Sequence, residues 1–200
     1  MNNWVSLKFK NPILSLIYLA VFFFVGCYNP TDDNEVEFKI DRTLLADSSF
    51  FYKGLQLFPP KNWIKSDLGI LPSGNIPESL ASSIIATFQS DTSQCFMIIT
   101  LLPEMPVSLP DSMLANPGKF FNKDSTWMAI QPSQFNYHSF ICRQFVLQNS
   151  DIVVFKLLLT RDSKNFELDY IVPRNYIPIL AKSVESSIGS IQYIEPNKNP

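Results

Sequence analysis

The sequence predicts an α+β domain: a mostly antiparallel sheet flanked by helices. Three observations predict it. Gln134 to Gln148, Ile152 to Thr160 and Asn165 to Val172 read as three successive strands, separated only by Asn149-Ser150-Asp151 and Arg161-Asp162-Ser163-Lys164. Connections that short join antiparallel neighbours. Ile177, Leu180, Val184, Ile188 and Ile191 then recur at three- and four-residue spacing, which is one apolar face of a helix. Phe accounts for 17 of the 200 residues, and aromatic side chains are enriched in strands.

The N-terminal stretch reads as an address. Lys8 and Lys10 precede an apolar run, Ile13 to Val25, and Gly26-Cys27 separates that run from Tyr28-Asn29-Pro30 and the acidic tract Asp32-Asp33-Asn34-Glu35. A basic start, a short apolar run and a small residue before the cut describe a secretory signal. The run falls short of the roughly 20 apolar residues a spanning helix needs. This layout resembles a bacterial lipoprotein signal. The resemblance implies that Cys27 takes a diacylglyceryl group on sulfur, that the peptidase cuts between Gly26 and Cys27, and that the new amine is acylated. Phe24 departs from the family, which prefers Leu three residues before the Cys. Two or more acyl chains give stable anchoring, so Cys27 is expected to hold the domain on a membrane without a transmembrane helix. The expected organisation is a signal over 1–26, a lipidated Cys and flexible tether over 27–49, a single domain over 50–194 and a tail over 195–200.

Along the domain, Phe50 to Phe58 reads as the first strand, with Gly54 marking a bulge or a close backbone approach. Pro59-Pro60 ends it, and Trp63 and Ile64 are expected to turn inward. Ser66 to Pro77 carries Gly69, Pro72, Gly74 and Asn75 and reads as a loop. Ser83 to Phe88 is strand-like, Asp91-Thr92-Ser93 is a hairpin turn, and Gln94 to Leu102 is a strand apolar on both faces. Asp111 to Asp124 could begin a helix that Asn116-Pro117-Gly118 interrupts, and Ser125 to Ile130 is a further short strand. In the last strand Phe166, Leu168, Tyr170 and Val172 alternate with Glu167, Asp169 and Ile171, so one face is expected to be the more buried. The closing helix runs from about Asn175 to Ser190, with Pro178 in its first turn, Lys182, Glu185 and Ser186 off the apolar stripe, and Gly189 weakening its end.

Two segments carry a second resemblance. Tyr52-Lys53-Gly54-Leu55-Gln56-Leu57-Phe58-Pro59-Pro60-Lys61-Asn62-Trp63 resembles the opening of Mog/PsbP-like domains. Phe166-Glu167-Leu168-Asp169-Tyr170-Ile171-Val172-Pro173, followed by Ser183 to Ile188, resembles their last strand and helix. The resemblance implies an α/β/α sandwich, and a style of function: docking on larger assemblies such as photosystem II or a Ran-type GTPase, without a shared catalytic site. It carries over no partner-surface residue, and residues 64–133 depart from it most.

The chemistry-bearing residues are few. The single histidine, His138, lies beside Ser139, which on one strand would face the other way, so no catalytic residue is expected. No zinc spacing, EF-hand or phosphate-binding glycine loop occurs, so neither metal nor cofactor is expected. Glu167 and Asp169 share a face, expected to be the solvent side of an antiparallel strand. Cys95 and Cys142 remain once Cys27 is lipidated; in an oxidising compartment they form either a disulfide or two buried thiols. Net charge is −2, and the signal removes two lysines and no acid, so nucleic acid is excluded as a partner. The expected function is a lipid-anchored protein of the cell envelope, on the outer rather than the inner membrane at its periplasmic or surface face. It would act as a non-enzymatic interaction or assembly module for an envelope protein complex. The alternative is a periplasmic or surface protein that binds an apolar small molecule between sheet and helix.

Overall fold

Tight turns organise the chain. The computed structural model describes residues 36–66, 83–90, 94–102 and 128–195. Strands β1 (Phe50–Tyr52) and β2 (Leu55–Leu57) are joined through Lys53-Gly54, both at positive φ. That mirror-image turn matches the right-handed twist of paired strands. The single strand read over Phe50 to Phe58 is therefore a hairpin, and Gly54 is a turn glycine. It is also a close approach, since a Cβ there would lie 2.5 Å from the Tyr193 ring.

Strands β3 (Trp63–Ser66), β4 (Ile84–Ser90), β5 (Phe96–Leu102), β6 (Met128–Tyr137), β7 (Phe140–Gln148), β8 (Ile152–Arg161) and β9 (Lys164–Pro173) form a seven-stranded antiparallel sheet in the order β3-β4-β5-β9-β8-β7-β6. Here too one expected strand is two: the run from Gln134 to Gln148 reverses at His138-Ser139, both at positive φ. Without Gly or Asn the dipeptide gives little turn signal. Ser139 therefore does not stand opposite His138 on a strand, and both side chains are exposed in the turn. Asp162 takes positive φ in the β8–β9 turn. The expected loop over 66–77 and helix over 111–124 fall almost wholly outside the described residues, as does the turn at 91–93, although the strands flanking that turn pair antiparallel.

Each face of the sheet buries its own apolar cluster. Cys95, Met97, Ile99, Cys142, Phe155, Leu157, Phe166, Leu168, Tyr170 and Val172 line one face. Helix α1 (Ile177–Gly189) packs there through Val184 and Ile188, with Ile177 and Leu180 half-buried against the same cluster, so the helical stripe is as the sequence spaced it. Leu55 and Leu57 join it from the small sheet of β1, β2 and β10 (Gln192–Tyr193). The other face carries Phe96, Ile98, Phe145, Leu147, Val154, Leu158 and Ile171. The last strand is thus buried on both faces rather than mainly on one. Trp63 points inward as expected, but Ile64 is 62% exposed, because side chains alternate along β3. Among the described residues the architecture is a mostly antiparallel sheet with one α-helix, which lies on a single face. No helix among those residues is long and apolar enough to cross a membrane.

The chain leading into the domain is packed from Val36 onward, so the expected tether over 27–49 ends well before residue 49. Val36 donates its N–H to Asn136 O, and the Asp41 N–H bonds Ser186 Oγ. Phe38 lies edge-on to Tyr137 with ring centroids 4.9 Å apart. Ser186, expected on the outer side of α1, is buried by this contact. Gly189 has the same origin: a Cβ there would stand 2.7 Å from Phe38 Cβ.

Candidate functional site

The face of the sheet away from α1 holds a charge cluster inside apolar surroundings. Lys156 on β8 lies directly across from Asp169 on β9, and Glu167 is two residues along that strand, on the same face. Lys156 Nζ is 3.1 Å from Asp169 Oδ1 and 3.1 Å from Glu167 Oε2. Thr100 stands opposite Glu167 on the other neighbour, β5. All four residues are buried, Asp169 completely. The expectation that Glu167 and Asp169 face solvent is therefore overturned. The antiparallel pattern is real, but both faces of β9 are covered, and the acids are held by a lysine on the neighbouring strand, 11 positions before Glu167 and 13 before Asp169.

One cation meets two carboxylates here, and burial makes the surplus negative charge costly. Burial raises the Asp169 carboxyl to about 7; Lys156 opposes the rise and Glu167 adds to it. Burial alone would lower the Lys156 ammonium, but Asp169 and Glu167 outweigh it, so its pKa is raised and the lysine stays charged. The Thr100 hydroxyl and the second Asp169 oxygen, Oδ2, are buried with no hydrogen-bond partner among the described residues. A proton on Asp169 relieves the surplus negative charge of the cluster.

On the opposite face, serines of α1 fix the helix. Ser187 Oγ bonds Tyr170 OH at 2.9 Å and donates to Phe58 O at 2.7 Å, while Ser190 Oγ accepts the Phe58 N–H at 2.8 Å. Burial pushes the Tyr170 hydroxyl up and Ser187 opposes that shift, so Tyr170 is a structural donor.

The remaining sequence candidates are placed as follows. Gly26 and Cys27 lie outside the described residues. Cys95 and Cys142 are both buried and are not joined in a disulfide. Cys142 is on β7 and Cys95 just precedes β5, with β9 and β8 between them in the sheet, roughly 14 Å at strand spacing and beyond the reach of a disulfide. Of the two readings of this pair, the structure has the buried thiols. Burial pushes the Cys142 thiol up to about 12, which leaves little thiolate for chemistry. His138 is exposed with its ring against Tyr137, centroids 4.3 Å apart. Among the described residues no group of three or more His, Cys, Asp and Glu is placed to hold a metal ion.

No protein-family model matches the chain, and no curated protein matches its sequence. Among solved structures the fold is similar to the solution structure of cyanobacterial PsbP (CyanoP) from Synechocystis sp. PCC 6803. The TM-score is 0.49 at 11% identity, with 85% of this chain and 99% of that chain covered.

Proposed function

We propose that the chain is a lipid-anchored protein of the cell envelope that serves as a non-enzymatic interaction module for a larger complex. One observation carries the reading: a cysteine stands at the apolar-to-polar switch, and the chain after it is seated on the domain by residue 36. Only residues 28–35 then separate the lipid from a packed domain, a layout that suits holding a surface at a fixed height above a membrane. The opening and closing segments that resemble Mog/PsbP-like domains support a docking role of the same style. Labelling with a palmitate analogue in a bacterial host tests the anchor. Incorporation by wild type and its loss in Cys27→Ala is the expected result; processing without incorporation by wild type would sink the proposal. Cross-linking in intact cells, followed by identification of the adducts, is then expected to return a defined envelope protein.

A second reading is favoured by the buried Thr100 hydroxyl, which has no hydrogen-bond partner among the described residues, and by the buried Asp169 carboxylate near it. They lie among Ile98, Leu158 and Ile171, the mixture of apolar walls and a few polar groups typical of small-molecule sites. On this reading the ligand sits on the sheet face away from α1, not between sheet and helix. Native mass spectrometry after gentle purification tests it: a mass above that of the lipidated chain supports a retained ligand, and the bare mass opposes it.

A further inference from the structure

We infer that the end of the domain carrying the His138-Ser139, Asp162-Ser163 and Lys53-Gly54 turns is its membrane-facing surface, seated on the lipid headgroups of the bilayer that holds Cys27. This rests on the lipid-anchor reading and deepens it by naming the face.

The chain enters the domain at this end. Val36 bonds Asn136, which is adjacent to the β6–β7 turn. Asn136 pairs with Ile141, Ile141 with Thr160, and Thr160 with Asn165. One row of the sheet therefore links the entry point to the β8–β9 turn across three strand spacings, roughly 14 Å. The small sheet brings its own turn to the same place: Lys164 Nζ donates to Lys53 O at 3.2 Å and to Tyr193 OH at 3.3 Å, and the Ile194 N–H bonds Gly54 O.

Reach decides which end faces the bilayer. Fully extended, the link from Cys27 to Val36 spans about 30 Å at most. Strand β8, 10 residues long, separates the two ends of the sheet by about 30 Å. The far end, with Asn149-Ser150-Asp151 and Arg174, touches the membrane only if the link is drawn completely taut and the domain is inverted. Every slacker link keeps the entry end nearer.

The surface at this end suits headgroups. The Arg161 guanidinium stacks 3.7 Å above the Tyr193 ring, Lys164 Nζ is 5.4 Å from the same ring, and Lys53 Nζ lies over the Tyr52 ring of the neighbouring hairpin. Ile141 and Ile194 are exposed there. Asp162, 3.7 Å from Arg161, and Glu195 offset part of the positive charge, and Asp32, Asp33 and Glu35 in the link oppose it further. Attachment and reach therefore set the orientation, and the three cations with the two isoleucines supply the contact.

The test is photocross-linking to lipid in a host that processes lipoproteins, using the full chain with benzoylphenylalanine at Ser163 or at Ser150, both exposed. Palmitate labelling of Cys27 is read on the same samples. The expected result is lipid adducts several-fold more abundant from position 163 than from 150, lost when Cys27→Ala is added. Equal adducts, or more from 150, overturn the orientation while palmitate on Cys27 leaves the anchor standing. Adducts from neither position on a palmitoylated chain show a domain standing off the bilayer and overturn it too. A wild-type chain without palmitate removes the anchor and the inference with it.

Discussion

Lys156 Nζ lies 3.1 Å from Asp169 Oδ1, across directly paired positions of β8 and β9, and the same ammonium is 3.1 Å from Glu167. The two central strands are thereby locked by a charge contact on one face and by apolar packing on the other. Removing one partner of such a cluster strands the remaining charge in a low-dielectric interior. Lys156→Met is expected to cost about 3–5 kcal/mol in urea unfolding. The variant Lys156→Met with Glu167→Gln and Asp169→Asn is expected to recover much of that loss. An equal loss in both would mean that the charge is not the issue.

The same cluster gives a pH dependence of unusual sign. In the unfolded chain the Asp169 carboxyl titrates near its ordinary value of 3.8, and in the fold near 7. Between those values the native state binds the extra proton, so this residue's contribution to stability is largest at low pH and declines as pH rises through that window. Denaturant midpoints from pH 4 to 7 for wild type and Asp169→Asn are expected to lie together near pH 4 and to separate toward neutrality, the wild type falling below the variant as its buried carboxyl ionises. Parallel curves would show that Asp169 does not titrate there. Lys156, whose pKa is raised, keeps its contribution below its unfolded value and loses it only as pH climbs through the folded one.

Gly189 and Phe38 clamp the entry segment to α1, with no room for a Cβ on the glycine. Gly189→Ala is expected to push Phe38 off Tyr137 and to cost about 1–3 kcal/mol, even though alanine is the better helix former. Faster hydrogen exchange at the Asp41 N–H, which bonds Ser186 Oγ, would locate the damage. A gain in stability would show that the entry segment is not seated there.

Neither Cys95 nor Cys142 is expected to react with a thiol reagent in the native protein, since both are buried. In denaturant without reductant both are expected to become alkylated. Protection of both in denaturant, released only by a reductant, would establish a disulfide and contradict the arrangement of β5 and β7.

Gly54→Ala is expected to destabilise the β1–β2 hairpin, because φ is +96° and the Tyr193 ring occupies the space a Cβ would take. Loss of Tyr193 packing, seen as a change in near-UV dichroism, is the readout.

The sequence by itself determined the local elements whose signal lies within a few residues. The apolar stripe of α1, Pro178 in its first turn, the two-sided burial of β5 and the short β7–β8 and β8–β9 connections all follow from spacing alone. Hairpins at Lys53-Gly54 and His138-Ser139 were not legible as turns. Tertiary pairing stabilises positive φ at Lys53, His138 and Ser139, residues that rarely choose it unaided. Only the tertiary structure decided what covers each face. Alternation along β9 separates Glu167 and Asp169 from Phe166 and Leu168, but no pattern within a strand says whether the polar side meets water or a lysine from its neighbour. That depends on register between strands, which brings Lys156 opposite Asp169 and Thr100 opposite Glu167. The same holds for Gly189, which reads as a weak helix end in sequence and is a packing site for Phe38, 151 positions earlier in the chain, in the fold.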